Sequence, residues 1–198
     1  MISALILAAG RSSRMGDLKP LLPLGRVTVI EHIIEVVLDS DVDETIVVLG
    51  HRADEIESLL QAYPVVLVRN SDDHGDMMSS IQCGVRTARL GNAVMIVLAD
   101  QPLITTSMVN KLIDLHEANE DGFIIPVYKE KRGHPMIIGG CFRDEVLMNQ
   151  SKNGLKGLRD RYPHSVHCIP VDSASMIADM DYRAEYEQIL AIMAENKQ

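Results

Sequence analysis

Two cations, Arg14 and Lys19, stand at the far end of a run of small residues, Leu7-Ala8-Ala9-Gly10-Arg11-Ser12-Ser13-Arg14-Met15-Gly16-Asp17-Leu18-Lys19. The run leaves an apolar stretch, Ile2 to Leu7, that reads as a buried strand. A strand ending in such a loop aims free backbone N–H groups outward, and small side chains let a ligand approach them closely. With Arg14 and Lys19 beside it, the loop reads as a cradle for a polyanion, most simply the phosphates of a nucleotide. It is not a Walker A loop, because no Lys-Ser or Lys-Thr follows Gly16. Nor is it G-x-G-x-x-G, because Gly10 is followed by Arg11 and Ser12.

Carboxylates supply the opposite charge. Asp100 follows the most apolar stretch of the chain, Ala93 to Leu98, with Pro102 fixing the backbone behind it. A carboxylate there, facing phosphates, suits Mg2+ (or Mn2+), which prefers hard oxygen ligands and bridges to phosphate oxygens. Asp179 and Asp181 form a second acidic pair, which also fits a turn or cap opening the last helix. Between Asn70 and Gly84, the groups of Asn70, Ser79, Ser80 and Gln82 offer donors and acceptors to a base edge or a ribose. Gly133-His134-Pro135 combines a position of close approach with a donor for an acceptor phosphate.

These positions fall between elements that alternate strand and helix. Strands are expected at Thr45 to Leu49, Val65 to Val68, Ala93 to Leu98, Gly122 to Tyr128, Pro135 to Ile138 and Val166 to Val171. Helices are expected at Val29 to Leu38, Ala53 to Tyr63, Met78 to Leu90, Thr105 to Asn119, Phe142 to Met148, Leu155 to Arg161 and Asp181 to Glu195. The pattern predicts an α/β fold: one domain over residues 1–198, doubly wound on a mostly parallel sheet with helices on both faces. Ligands of such sheets bind beyond the carboxyl ends of the strands. That rule gathers the first loop, the Gly50-His51 end, the Asn70 loop, Asp100 and the Asp179–Asp181 segment at one rim.

The 198 residues, 46% of them apolar, suffice for one sizeable core. A formal charge of −9 argues against a nucleic-acid partner but not against a nucleotide on a local cationic loop. Cys83, Cys141 and Cys168 are widely spaced and fit a reducing cytoplasm without a zinc or disulfide framework. No stretch approaches the roughly twenty apolar residues needed to span a membrane.

The run Leu7 to Lys19 resembles the L-A-A-G-x-S-x-R-M-G-x-x-K signature of the molybdenum-cofactor type of nucleotidyltransferases, with every fixed position present. Leu98-Ala99-Asp100-Gln101-Pro102 resembles the family's L-A-D-Q-P element, and Arg132-Gly133-His134-Pro135 its r-G-H-P element. Asp179 to Tyr186 is similar to its D-x-D-T-P-E-D-Y element, with Tyr182 and Arg183 where that pattern has Thr and Pro. The Asn70–Gly84 segment resembles G-M-x-x-S-x-x-x-G, with Asp76 between Gly75 and Met77.

The resemblance implies a Rossmann-like fold of the nucleotide-diphospho-sugar transferase type. It implies transfer of a nucleoside monophosphate from a triphosphate to a small phosphorylated acceptor, with Mg2+ and release of pyrophosphate. Arg14, Lys19 and Asp100 would be catalytic. Leu7, Ala8, Ala9, Gly10, Arg14, Lys19, Asn70, Ser79, Ser80, Gln82 and Asp100 would surround the nucleotide. Gly133, His134 and Pro135 would face the acceptor, and Asp100 with Asp181 would hold the metal. The L-A-A-G form accompanies CTP within the family, and the Ala9 methyl narrows the space beside the base. The expectation is therefore CMP transfer to the phosphate of molybdopterin, the product passing to a molybdenum hydroxylase. Alternatives are a related cytidylyl- or guanylyltransferase acting on another small phosphate such as a methylerythritol or sugar phosphate, a non-catalytic carrier of nucleotide or cofactor for a molybdenum hydroxylase, and a nicotinamide-dependent oxidoreductase. The last lacks G-x-G-x-x-G and has Gly50-His51 where an acidic ribose ligand would stand.

Overall fold

The structure is a computed structural model that describes residues 1–10, 16–72, 76–119, 122–172 and 174–195. Arg14, expected to touch phosphate, and its neighbours Arg11, Ser12, Ser13 and Met15 lie outside the described residues, as does Gly75.

The strands are β1 (Ile2–Ala8), β2 (Pro23–Leu24), β3 (Val27–Thr28), β4 (Glu44–Leu49), β5 (Val66–Arg69), β6 (Ala93–Leu98), β7 (Phe123–Tyr128), β8 (Lys131–Arg132), β9 (Met136–Ile138) and β10 (Val166–Pro170). The helices are α1 (Val29–Leu38), α2 (Ala53–Leu60), α3 (Met77–Thr87), α4 (Thr106–Glu117), α5 (Arg143–Leu147), α6 (Gly154–Arg161) and α7 (Arg183–Glu195). The main sheet runs β10-β7-β9-β6-β1-β4-β5, with β8 paired to β7; β2 and β3 form a separate ribbon.

β1 pairs in parallel with β4 on one side and β6 on the other, and every residue of Ala4 to Ile6 is fully buried. Burial on both faces is why β6 reads as an unbroken apolar run and β1 as one broken only by Ser3, whose hydroxyl is hydrogen-bonded to Glu44 and Asn92. One core face packs Ile6, Val47 and Val97 with Ile30 and Ile33 of α1, Leu112 of α4 and Ile189 of α7. The other packs Leu5, Val48 and Ile96 with Ile81 of α3, Val146 of α5 and Leu158 of α6. Helices thus cover both faces, as expected. The charged segment after β7 is partly strand, since Lys131 and Arg132 fold back on Tyr128 and Val127 as β8. The expected Pro135–Ile138 strand pairs antiparallel with β7 and also reaches β6. As β9 it lies between them in the sheet.

Chain order reverses between β1 and β6, since β4 and β5 lie to one side of β1 and β6 to the other. The carboxyl ends of β1 and β6 therefore open a crevice at a topological switch point, the place where such sheets bind ligands. Local signals set the flanking helices. Thr28 and Glu31 cap α1 reciprocally. Asp76 caps α3 by accepting from Ser79 N–H, so that helix begins at Met77. Among the described residues no helix is long and apolar enough to cross a membrane.

Candidate active site

A cleft of about 330 Å3 lies at the switch point, floored by Leu7 to Gly10 from the end of β1 and by Leu98 to Asp100 from the end of β6. Lys19, Asp76, Ser80, Asp179 and Asp181 complete its charged and polar wall. A Cβ placed on Gly10 would meet nothing within 4 Å, so the loop backbone lies open to a ligand there. Gly50, at the end of β4, is packed instead. A Cβ there would come within 2.7 Å of the Ala9 carbonyl oxygen and 2.8 Å of the Ala9 methyl. Ala9 and Gly50 are thus complementary, and a glycine at position 50 is what leaves Ala9 its place in the cleft wall.

Lys19 opens a short strap made of a turn of 3-10 helix, Lys19–Leu21, and the β2 segment Pro23–Leu24 that follows it. The side chain reaches under the strap, and its Nζ donates to Asp100 Oδ2 at 3.0 Å and to Asp181 Oδ1 at 2.6 Å. Burial disfavours the ammonium, but the hydrogen bonds and charges of Asp181 and Asp100 outweigh that and hold Lys19 above its ordinary pKa. Lys19 is 8% exposed, so this cation is fixed, not a solvated surface charge.

The partners of Lys19 are brought together by backbone and side-chain ties that the sequence does not announce. Met180 N–H donates to the Asp100 carbonyl oxygen at 3.1 Å, stapling the Asp179–Asp181 segment to the end of β6. Gln101 is 3% exposed and donates from Nε2 to Asp179 Oδ1 at 2.6 Å. Glu185 accepts from the Asp181 and Tyr182 N–H groups at 2.6 and 2.9 Å, capping α7 and fixing Asp181. This is why the last helix begins at Arg183 and not at Asp181. Tyr186 OH donates to the Pro23 carbonyl oxygen, tying α7 to the strap that carries Lys19. Gln101 and Glu185 are the positioning groups that sequence reasoning passed over. Gln101 sat inside the quoted Leu98–Pro102 element, and Glu185 stands at the offset that caps a helix start.

Asp179 takes another place from Asp181. Burial pushes its carboxyl above the ordinary value, against the Gln101 hydrogen bond and with the help of the Asp100 and Asp181 charges. Among the described residues no three His, Cys, Asp or Glu side chains converge as ligands for one ion. Asp100 and Asp181, however, each place an oxygen within hydrogen-bond distance of one point, Lys19 Nζ. Two hard oxygens are what the protein supplies to Mg2+ when water and phosphate complete its shell. The donor set fits.

The expected nucleotide residues divide. Ser80 lines the cleft. Asn70 donates to Ser79 Oγ at 2.9 Å and Ser80 Oγ at 3.1 Å, and so holds the serines without lining the cleft itself. Ser79 Oγ donates to the Asp76 carbonyl oxygen. Gln82 is put to a different use. Its Nε2 donates to the carbonyl oxygens of Val146 and Asn149 at 3.0 and 2.9 Å, tying α3 to the end of α5. Gln82, expected beside the nucleotide, is not among the residues that line the cleft, and its amide is engaged by those carbonyls instead.

At the Gly133–Pro135 element, expected to face an acceptor, Gly133 packs against the turn Ala174–Ile177 and His134 N–H donates to the Met176 carbonyl oxygen at 3.0 Å. A Cβ at Gly133 would fall 2.1 Å from that same oxygen. The contact is with backbone, which cannot swing away. Gly133→Ala is therefore expected to destabilise the protein by about 1–3 kcal/mol, read as a lower denaturation midpoint in urea. Unchanged stability would mean the Ala174–Ile177 turn yields freely.

Burial, with the Arg159 charge beside it and only Asp100 opposing, lowers the His134 imidazole from 6.5 to about 4. His134 is neutral at pH 7 and offers a hydrogen bond without a charge. The native state binds fewer protons than the unfolded chain between these values, so its stability is present above pH 6.5 and lost as pH falls towards 4. His134→Asn is expected to flatten that limb of the stability curve, by at most about 3 kcal/mol between its ends. Denaturant midpoints at pH 7 and pH 4 check this, and an equal fall in both proteins would refute it.

The family model of the MobA-like NTP transferase domain matches residues 4–166. The chain belongs to that family. It is 28% identical over 189 residues to nicotine blue oxidoreductase of Paenarthrobacter nicotinovorans, covering 91% of this chain and 92% of that one. It is 26% identical over 172 residues to the bifunctional protein GlmU of Francisella tularensis, covering 85% of this chain but 37% of that longer protein. A nucleotidyl transferase from Methanothermobacter superposes with a TM-score of 0.85 at 28% identity, covering 99% of both chains. The fold is thus the α/β nucleotidyltransferase fold, and family and structural neighbours together make this an enzyme of the nucleotidyltransferase kind. Asp179, Asp181 and Glu185 lie beyond the matched residues.

Proposed function

We propose that the protein transfers CMP from CTP to the phosphate of molybdopterin and releases pyrophosphate. The observation that carries this reading is the Lys19 ammonium held between Asp100 and Asp181 at the mouth of a cleft floored by an open small-residue loop. An oxygen of the acceptor phosphate attacks the α-phosphorus of CTP in line. The new O–P bond forms as the bond to the bridging oxygen breaks, and pyrophosphate leaves with that electron pair. The acceptor phosphate is its own nucleophile, so positioning and charge neutralisation carry the catalysis.

Each residue then has a place in that step. The Leu7–Gly10 backbone receives phosphate oxygens, with Arg14 adding charge. Lys19 neutralises charge as it develops on the α-phosphoryl group. Asp100 and Asp181 would hold Mg2+, which when bound neutralises the triphosphate and polarises the reacting phosphorus. Ala9, backed by Gly50, keeps the base side of the cleft narrow, which supports cytosine over guanine. His134, neutral, donates a hydrogen bond to the acceptor.

The test is pyrophosphate release with Mg2+ and each NTP in turn, with and without molybdopterin. Release that needs both CTP and molybdopterin supports the reading. CTP binding by thermal shift without release points to another small phosphate as acceptor, or to a carrier of nucleotide or cofactor for a molybdenum hydroxylase. A second reading, hydride transfer, is favoured by the near full-length similarity to a protein named an oxidoreductase. A melting temperature raised by NADH or NADPH but by no NTP, with no pyrophosphate from any NTP, would select it.

A further inference from the structure

A second cavity of about 330 Å3 adjoins the first across Met77, which lines both. Its polar wall is cationic: Lys152 and Lys156 at its rim, Arg159 deeper, and neutral His134 beside them. No Asp or Glu lines it, although the chain as a whole carries a formal charge of −9. Arg159 Nε is buried and has no hydrogen-bond partner among the described residues. A desolvated guanidinium donor left in that state is costly unless an anion completes it. Burial lowers the Arg159 pKa and the nearby Arg132 lowers it further, with Asp160 and Cys168 opposing in part, so the net surroundings disfavour an unpartnered guanidinium. The cavity is also where α6 starts. Gly154 takes φ +50 there and its N–H donates to the Ser151 carbonyl oxygen, so what the helix start adds to the field is its dipole. Met78 and Met136 supply a soft apolar wall opposite, suited to a flat ring.

We propose that this cavity binds an anionic group of the acceptor distinct from the phosphate that attacks, with Arg159 as its principal partner and Lys156 assisting. The inference rests on the transferase reading for the word acceptor, but the pocket itself can be tested without turnover. The ligand class is a flat, partly apolar molecule that carries negative charge away from its reacting phosphate. Met77 then stands where the nucleotide and acceptor cavities meet, with the acceptor spanning from the basic pocket to the Lys19 pair.

The probe is phenyl phosphate, titrated calorimetrically into the full chain with the nucleotide cleft filled by Mg2+ and α,β-methylene CTP. Wild type is expected to bind phenyl phosphate and not phenol. Arg159→Gln is expected to bind it at least tenfold more weakly while keeping its affinity for the CTP analogue. Equal affinity for phenyl phosphate in the two proteins, or equal binding of phenol, would overturn the proposal. If Arg159→Gln unfolds, Lys156→Gln, at an exposed position, is expected to show a weaker loss in the same titration; no loss there would count against the pocket. In the transfer assay Arg159→Gln should raise KM for molybdopterin, with kcat and the KM for CTP kept. A titration that succeeds while no acceptor yields pyrophosphate would retain the pocket and remove the transferase reading. A normal acceptor KM in Arg159→Gln would do the reverse.

Discussion

Asp100→Asn is expected to lower kcat for pyrophosphate release about 10^3-fold with the fold intact. The side chain closes no core gap, lying at the crevice between the ends of β1 and β6. The Asp100 carbonyl that receives Met180 N–H is untouched by the substitution. What changes is charge. The amide has the shape of the carboxylate but presents one neutral oxygen to a cation that needs a hard anionic one. Loss of one preorganised electrostatic group of this kind costs about 10^2–10^3 in rate, and loss of a metal ligand adds a raised Mg2+ requirement. Pyrophosphate release measured across a Mg2+ titration separates the two. A near-normal rate at ordinary Mg2+ would remove Asp100 from the catalytic group.

Lys19→Met is expected to remove turnover to a similar extent and also to change stability in a way that depends on divalent cation. Met fills much the same volume along the strap but leaves Asp100 and Asp181 facing one another without their shared ammonium. A buried ion pair broken from one side leaves an uncompensated charge, and such changes cost about 3–5 kcal/mol when burial is complete. Asp100 and Asp181 are about one-third exposed, so water relieves part of that. Melting temperature in metal-free buffer should therefore fall, and added Mg2+ should recover it more in Lys19→Met than in wild type. If Mg2+ raises both proteins equally, the two carboxylates are not where the ion binds.

Much of this arrangement can be read from residue order, and the reasons differ by element. β6 and α1 are found at Ala93–Leu98 and Val29–Leu38, as their patterns predict, because one is buried on both faces and the other carries an apolar stripe between clear end signals. The loop after β1 and the carboxylate after β6 are legible because chemistry at strand ends uses residue types that packing would not choose. The place of β9 is not legible. Whether a three-residue apolar strand pairs with β7 alone or also with β6 is decided by tertiary packing. Gln82 misleads for a related reason: an amide near a ligand loop is equally able to serve a helix end, and only the positions of the Val146 and Asn149 carbonyls decide. The Lys19 clamp joins residues 81 and 162 positions apart, which no local pattern encodes.

That last separation has a consequence for how the enzyme comes into being during synthesis. A ribosome delivers the β1 loop and Lys19 first and Asp181 only after a further 162 residues. Until α7 docks through Tyr186 onto Pro23, the nascent chain holds its cation without its second counter-charge. A chain ending before Met180 keeps Lys19 and Asp100 but lacks Asp181, so the clamp closes only once the chain has been made past residue 181.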